Sequence, residues 1–170
     1  LISDIVNSIE MPVILDASGL ASFAGRYKDL QKASAKLILT PHIGEFSKLI
    51  NRPAPFIMEN SQSIAKEFAM KNNAILVLKK HNTAVSDGAN LYINQSGTPA
   101  MASAGSGDVL SGIIGALSAI DKDLFEAASF AVFIHGLAGE IAEEEKGNGL
   151  TATDLIENIP SAFAKLKALC

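Results

Sequence analysis

Residues 104–112 read Ala104-Gly105-Ser106-Gly107-Asp108-Val109-Leu110-Ser111-Gly112, in which small, flexible residues lead to an acid that opens an apolar run. A glycine-rich loop that ends at the start of a helix leaves several backbone N–H groups without partners. Those groups, together with the positive end of the helix, favour an anion such as phosphate. Glycine also lets the backbone come close to a ligand because it has no Cβ.

The acid in this stretch favours chemistry over simple anion binding. Asp108 would repel a phosphate, so its position suits a general base that takes a proton from a hydroxyl beside that phosphate. The alternative is a structural cap, because Asp is a favoured residue at the start of a helix. Short glycine motifs occur often by chance. The stretch alone is therefore compatible with both interpretations.

Short apolar runs alternate with helical patterns along the chain. Buried strands are predicted at Pro12–Leu15, Leu37–Leu39 and Ala74–Leu78, and a hairpin joins Ala84–Ser86 to Asn90–Asn94. Helices are predicted at Ile2–Ile9, Leu20–Ala24, Glu45–Ile50, Asn60–Lys71, Val109–Ile120, Leu124–Lys146 and Ser161–Leu169, with a loop at Arg52–Pro55. This alternation indicates one α/β domain with a mostly parallel sheet.

Polar residues follow three of the predicted strands directly. Asp16, His42 and Lys79 each come just after an apolar run. Open parallel sheets bind ligands outside the carboxyl ends of their strands. We therefore expect these three side chains to share one crevice with Asp108.

Five segments together resemble a known family, the ADP-dependent NAD(P)H-hydrate dehydratases of the ribokinase-like superfamily. Leu39–Phe46 resembles the family's Thr-Pro-His-x-Gly-Glu segment, and His135–Glu140 its His-Gly-Leu-Ala-Gly-acid helix. The other three segments are Val13–Ala17, Met101–Leu117 and Gly149–Ile156. The resemblance implies a three-layer α/β/α fold with a mostly parallel central sheet. It also implies a repair reaction in which ADP or ATP drives the dehydration of (S)-hydrated NADH or NADPH.

The resemblance implies roles for individual residues. Asp108 would be the catalytic base and contact the substrate, and His42 would contact the hydrated dinucleotide. The adenine nucleotide would be bound by Lys79, Lys80, His81, Asn82 and Thr83, and by the N–H groups of Ala104, Gly105, Ser106 and Gly107. Glu45 would hold Mg²⁺ through water, since Mg²⁺ prefers oxygen ligands and keeps several waters.

Each role has a structural alternative. His42 can bond its own loop after Pro41, and Glu45 can stabilise the first turn of a helix. The segment from Lys79 to Thr83 can be a solvated polar loop. His135 and Glu140 lie in an apolar helix, where a hydrogen-bonded core histidine is the expected reading.

The sequence departs from the family pattern in three places. Lys80 stands where the nucleotide loop usually has glycine, and Ser18 stands where many members have a second acid. The family's domain is also substantially longer at its N-terminus. We therefore expect residues 1–170 to be one ribokinase-like domain that is N-terminally incomplete and lacks the first strands of the sheet.

Composition narrows the class of partner. The net charge is −4 and no basic cluster occurs, so a nucleic-acid partner is not expected. No apolar run approaches the roughly 18 residues that cross a bilayer, so no membrane partner is expected. Cys170 is the only cysteine, which suits a reducing cytoplasm.

Two other functions remain open at the level of sequence. A small-molecule kinase of the same superfamily, such as a hydroxyethylthiazole-type kinase, would carry a similar phosphate loop and base. A non-catalytic fragment that needs a partner chain is the second alternative. An apolar sheet edge left without its neighbours favours association. We therefore expect a homo-oligomer or a companion N-terminal segment, and an isolated chain that is inactive.

Overall fold

The computed structural model describes residues 1–168. The described α-helices are α1 (Ile2–Ser8), α2 (Ala17–Ala21), α3 (Ile43–Ile50), α4 (Ala54–Glu59), α5 (Ser61–Asn72), α6 (Ser106–Ser118), α7 (Leu124–Lys146) and α8 (Ala152–Lys167). The described strands are β1 (Val13–Leu15), β2 (Leu37–Leu39), β3 (Ala74–Leu78), β4 (Ala84–Ser86) and β5 (Leu91–Ile93). Short 3₁₀ helices span Tyr27–Lys32, Pro99–Met101 and Gly147–Gly149.

The five strands form one sheet in the order β1-β2-β3-β4-β5. The first three are parallel, with Val13 opposite Leu37 and Leu37 opposite Ala74. Strand β4 is antiparallel to both β3 and β5, as expected for the hairpin at Asp87-Gly88. Every strand except β4 thus runs in the same direction, and the predicted mostly parallel sheet is confirmed.

Helices cover both faces of the sheet. Leu37 and Leu39 point to one face, where they pack with residues of α2, α3 and α5. Ile38 points to the other face, where it packs with residues of α6, α7 and α8. Strand side chains alternate between faces, so a short apolar strand serves two cores at once. The three-layer α/β/α fold is therefore confirmed.

Helix α7 is the central helix of the second layer. It is long and apolar enough to cross a membrane by length and composition, but 61% of that apolar window is buried inside the domain. Helices α6 and α8 both pack against it. A helix that is apolar nearly all round its surface is usually buried in the core of a protein. Helix α7 is such a core helix.

Two predicted helix starts are wrong by several residues. Helix α6 begins at Ser106 and not at Val109, because Gly105 takes a left-handed conformation (φ 86°) and starts the helix earlier. Ser106 and Gly107 consequently belong to the helix rather than to the loop. Helix α2 begins at Ala17 and not at Leu20, since Asp16 accepts a hydrogen bond from the Ala17 N–H.

Two further predictions, both made at prolines, are wrong. The sequence predicts a loop at Arg52–Pro55, but α4 starts there: Pro53 is its N-cap residue and Pro55 lies in its first turn, where proline is tolerated. Helix α8 runs through Pro160 instead of starting after it. Pro160 is exposed, while Ile159 and Phe163 pack against the core on either side of it. The predicted end of this helix at Leu169 lies outside the described residues.

Candidate active site

The ends of the parallel strands meet at one edge of the sheet. His42 and Lys79 are paired in parallel just beyond β2 and β3. The Lys79 N–H donates a hydrogen bond of 2.8 Å to the carbonyl oxygen of Pro41. Asp16 follows β1 and contacts the Lys79 side chain. Asp16, His42 and Lys79 thus lie together as predicted, but the prediction that they share one crevice with Asp108 is wrong, because Asp108 lines a different cavity.

A partly buried ion pair joins the first and third strands to α6. The Lys79 ammonium lies 3.0 Å from Asp16 Oδ1, and the Ser111 hydroxyl donates to Asp16 Oδ2 at 3.0 Å. Sequence reasoning missed Ser111 as a member of this cluster. The available signal was its position four residues after Gly107, which places both on the same face of α6.

The first turn of α6 lies against this ion pair. A Cβ on Gly107 would lie 3.2 Å from Lys79 Nζ, so the absence of a side chain lets the ammonium approach the helix start. The N–H groups of Gly107 and Asp108 make no hydrogen bond within the described part of the chain. Free N–H groups beside an ammonium form an environment that suits an anion.

Asp108 lies in the first turn of α6 with an exposed side chain. Gly105, and not Asp108, occupies the cap position, and no side chain caps the helix. The capping interpretation of Asp108 is therefore wrong. Its carboxylate accepts no hydrogen bond from another described residue, which leaves it available to a ligand.

Gly107 and Asp108 face two different cavities. Gly107 lines a cleft of about 770 Å³ that also contains His42 and Lys79. Asp108 lines an apolar groove of about 590 Å³ between α6 and α8, together with Ala152 and Phe163. The first turn of α6 separates the cleft from the groove. The structure thus brings Asp108 next to the cleft but does not place it in the cleft wall.

The segment from Lys79 to Thr83 lines the cleft and is held by its own contacts. Thr83 Oγ1 donates to the Lys80 carbonyl oxygen at 3.2 Å, and Lys80 Nζ donates to the His81 carbonyl oxygen at 3.0 Å. The left-handed residue of this loop is Asn82 (φ 58°), not Lys80. Asn tolerates that conformation, so the loop does not require glycine at position 80.

His42 and Glu45 form a reciprocal cap at the start of α3. His42 Nδ1 accepts from the N–H groups of Gly44 (3.0 Å) and Glu45 (3.2 Å). Glu45 Oε2 accepts from the His42 N–H at 2.8 Å. Both side chains therefore have the local structural roles expected as alternatives: His42 bonds its own loop, and Glu45 stabilises the first turn of α3. The His42 side chain remains 59% exposed and lines the cleft, and its Nε2 lies 3.6 Å from Glu45 Oε2.

Within residues 1–168, no group of three or more His, Cys, Asp or Glu side chains is placed to hold a metal ion. Glu45 keeps one carboxylate oxygen outside its cap contact with His42. One carboxylate oxygen fits a hydrated Mg²⁺, which retains several of its waters.

The segment His135–Glu140 of α7 shapes the back of the cleft. His135 Nε2 lies 3.0 Å from the carbonyl oxygen of Ser106, and burial lowers the pKa of His135 to about 4. The prediction of a hydrogen-bonded core histidine is confirmed. Gly136 lets Ser96 approach the helix, and Glu140 accepts from the Gly97 N–H at 2.8 Å. These contacts fix the cleft wall, a role that sequence reasoning missed.

The parallel sheet between two helical layers, with polar strand ends facing a helix that starts at a glycine, is an α/β fold that this chain shares with a solved NAD(P)H-hydrate dehydratase and with a ribokinase-like protein. A family model described as NAD(P)H-hydrate dehydratase matches residues 2–161. The chain belongs to the NAD(P)H-hydrate dehydratase family.

Individual relatives agree with this assignment. The bifunctional NAD(P)H-hydrate repair enzyme of Thermofilum pendens is 41% identical over 98% of this chain and 32% of the relative. The ADP-dependent (S)-NAD(P)H-hydrate dehydratase of Cenarchaeum symbiosum is 40% identical over 74% of this chain and 44% of the relative. This chain therefore spans less than half the length of either relative.

A solved structure shows the same fold. The ADP/ATP-dependent NAD(P)H-hydrate dehydratase of Bacillus subtilis, co-crystallised with ATP/Mg²⁺, matches with a TM-score of 0.84 and 30% identity. The match covers 95% of this chain and 57% of the Bacillus chain.

Proposed function

We propose that this chain carries the nucleotide site and the catalytic base of an ADP- or ATP-dependent dehydratase that restores NADH or NADPH from the (S)-hydrated form. One observation carries the proposal: the Lys79 ammonium and the free N–H groups of Gly107 and Asp108 converge at the first turn of α6. Asp108 lies beside this anion-binding environment with an unengaged carboxylate.

The cleft suits the adenine nucleotide. Its walls include Lys79, Lys80, His81, Asn82 and Thr83, and its end is closed by Ser106 and Gly107. Phosphates bound at the start of α6 would meet N–H donors and an ammonium at once. Ala104 and Gly105 precede α6 and would complete the loop around those phosphates.

Asp108 and His42 are assigned to the substrate, which would extend from the groove beside α8, past the first turn of α6, to the cleft. The Asp108 carboxylate takes the proton of the substrate's ring hydroxyl, and that oxygen then attacks the terminal phosphorus of the nucleotide. The new C–O–P linkage breaks at its C–O bond, so inorganic phosphate departs as the ring double bond re-forms with loss of a ring proton. His42 Nε2 is placed to donate to or accept from the hydrated dinucleotide.

The protein's part in the transfer is electrostatic. N–H groups and an ammonium held in place before the reaction stabilise charge that develops on the transferred phosphoryl group. Bound Mg²⁺ would neutralise phosphate charge, and Glu45 would hold one of its waters. Phosphorylation turns hydroxide, a poor leaving group, into phosphate, a good one.

The match to the dehydratase family favours this reaction over a true small-molecule kinase. Product analysis tests the choice. The full-length protein, incubated with ADP and hydrated NADH, should yield NADH, AMP and free phosphate in equal amounts. A stable phosphorylated product would identify a kinase, and no turnover at all would contradict both activities.

The proposal extends to assembly and compartment. Among the described strands, β1 pairs only with β2, and Val13 and Ile14 are half-buried. An open edge of this kind suits pairing with further chain, so we propose a companion N-terminal segment or a homo-oligomer as the partner. A dinucleotide-repair reaction belongs where reduced nicotinamide cofactors are used, and we place it in the cytoplasm.

A further inference from the structure

The charge arrangement around Lys79 is unusual for the start of a helix. The first turn of a helix carries partial positive charge, and a cation placed there is unfavourable by itself. Lys79 Nζ nevertheless lies beside Gly107, in the first turn of α6, with only 21% of its side chain exposed. A counter-charge must therefore stabilise the ammonium in this position.

Asp16 supplies that counter-charge, and its carboxylate is fully engaged. Oδ1 accepts from the Lys79 ammonium at 3.0 Å and from the Ala17 N–H at 2.9 Å. Oδ2 accepts from Ser111 at 3.0 Å. Ala17 takes a positive φ of 42°, a strained conformation for a residue with a side chain. The backbone next to Asp16 is therefore held in an unfavourable conformation in the arrangement in which Asp16 contacts Lys79 and Ser111.

We propose that Asp16 is a positioning residue of the nucleotide site, which holds the Lys79 ammonium at the start of α6 and balances its charge while no phosphate is bound. The inference rests on the proposed function, because it assumes that phosphate binds beside Lys79 and Gly107. Ser111 fixes the carboxylate from the side of α6 and so couples the strand ends to the helix that carries Asp108.

The arrangement makes bound phosphate compete with Asp16 for the same ammonium. Nucleotide affinity is thereby kept moderate, and products leave more readily. Removing the negative charge removes both the competition and the repulsion between carboxylate and phosphate. Asp16→Asn should therefore bind ADP several-fold more tightly, on the order of fivefold, in buffer without Mg²⁺. Its turnover should fall, because Lys79 is less firmly placed and product release slows.

Two control variants separate charge from packing. Ser111→Ala removes one hydrogen bond to Asp16 but no charge, so ADP affinity should change less than in Asp16→Asn. Asp29→Asn removes the same charge from a carboxylate that is also paired with a lysine, Lys32, at 2.8 Å but does not contact Lys79. ADP affinity should be unchanged in Asp29→Asn.

A second measurement needs no nucleotide. If Asp16 balances Lys79, Asp16→Asn lowers the melting temperature of the ligand-free full-length protein. Adding Lys79→Met to that variant should restore part of the loss, because the uncompensated ammonium is gone. Additive losses in this double-mutant cycle would overturn the inference. The double-mutant cycle tests the role of Asp16 even if the wild-type protein binds no ADP. Failure of the wild-type protein to bind ADP would contradict the proposed function and not the role of Asp16.

The titrations distinguish Asp16 as a positioning residue from Asp16 as a metal ligand. ADP affinity is measured by calorimetry for wild type and Asp16→Asn, once with EDTA and once with Mg²⁺. Tighter binding by the variant with EDTA supports the inference. Unchanged or weaker binding with EDTA overturns it, and a loss of affinity that occurs only with Mg²⁺ assigns Asp16 to the metal.

Discussion

Asp108 is an exposed carboxylate in the first turn of a helix, and it serves no structural contact in the described residues. The proposed role as base therefore gives a clear prediction for Asp108→Asn. ADP should still bind, while turnover of hydrated NADH falls by about 100-fold or more, the usual scale for loss of a general base. Calorimetry and an NADH fluorescence assay on the full-length protein measure the two quantities. Turnover within a few-fold of wild type would remove Asp108 from the chemistry.

His42 has two roles to separate, since its Nδ1 caps α3 and its partly exposed ring, with Nε2 3.6 Å from Glu45 Oε2, is proposed to contact the substrate. Loss of a capping side chain costs about 1 kcal/mol, so His42→Ala should lower both stability and substrate affinity. His42→Asn keeps a capping oxygen and should recover stability but not substrate affinity. Chemical unfolding and substrate titration measure these effects. The assignment is wrong if ADP affinity falls in both variants while substrate affinity stays unchanged.

Residue types were easier to predict from sequence than their contacts. Lys79, His42 and Asp16 were identifiable because each follows an apolar strand, and such positions face the ligand edge of a parallel sheet. The sequence places Ser111 on the same face of α6 as Gly107, but it does not identify Asp16 as the partner of Ser111, since the two are 95 residues apart in the chain. Nor could the sequence show that Asp108 faces the groove beside α8 rather than the cleft.

The junction between α6 and α7 depends on a neutral His135. Burial lowers its pKa from 6.5 to about 4, so the folded state binds this proton more weakly than the unfolded state. The contribution of neutral His135 to the free energy of unfolding is fully present above pH 6.5. It is lost as the pH falls from 6.5 toward 4, by about 3 kcal/mol in total. Urea unfolding at several pH values should show this loss. His135→Gln should have a flatter pH profile, and an equally steep profile would contradict the account.

The contact of α7 with the Ser96 segment requires glycine at position 136. A Cβ on Gly136 would lie 2.7 Å from the backbone carbon of Ser96 and cannot be relieved by rotation of a side chain. Gly136→Ala should destabilise the protein by about 2 kcal/mol and weaken ADP binding, because the cleft wall moves. Gly112→Ala is the matched control, since nothing lies within 4 Å of its Cβ. That variant should be neutral or more stable by up to about 1 kcal/mol.

Elements with strong periodicity could be predicted, and elements governed by packing could not. Strands β2 and β3 have the predicted bounds because short apolar runs next to turn residues indicate buried strands. Helix α8 passes Pro160 because packing of Phe163 and its neighbours against α7 outweighs the cost of about 3 kcal/mol for an interior proline. Single-sequence patterns contain no information about that packing.

At the scale of the molecule, the site exists only because distant segments meet. Asp16 and Lys79 are 63 residues apart, and the start of α6 lies further along the chain. The parallel sheet brings the strand ends to one edge, and α6 packs over β1 so that its first turn faces them. The central claim is that this convergence lets the substrate's hydroxyl oxygen attack the nucleotide's terminal phosphorus.

Isotope labelling of that hydroxyl oxygen tests the claim most directly. Hydrated NADH is prepared with ¹⁸O in its ring hydroxyl and converted by the full-length protein with ADP, and the released phosphate and water are analysed by mass spectrometry. The account predicts that the label appears in inorganic phosphate, in an amount equal to the NADH formed. Label in water, with unlabelled phosphate, would mean that the hydroxyl leaves without being phosphorylated and would contradict the account.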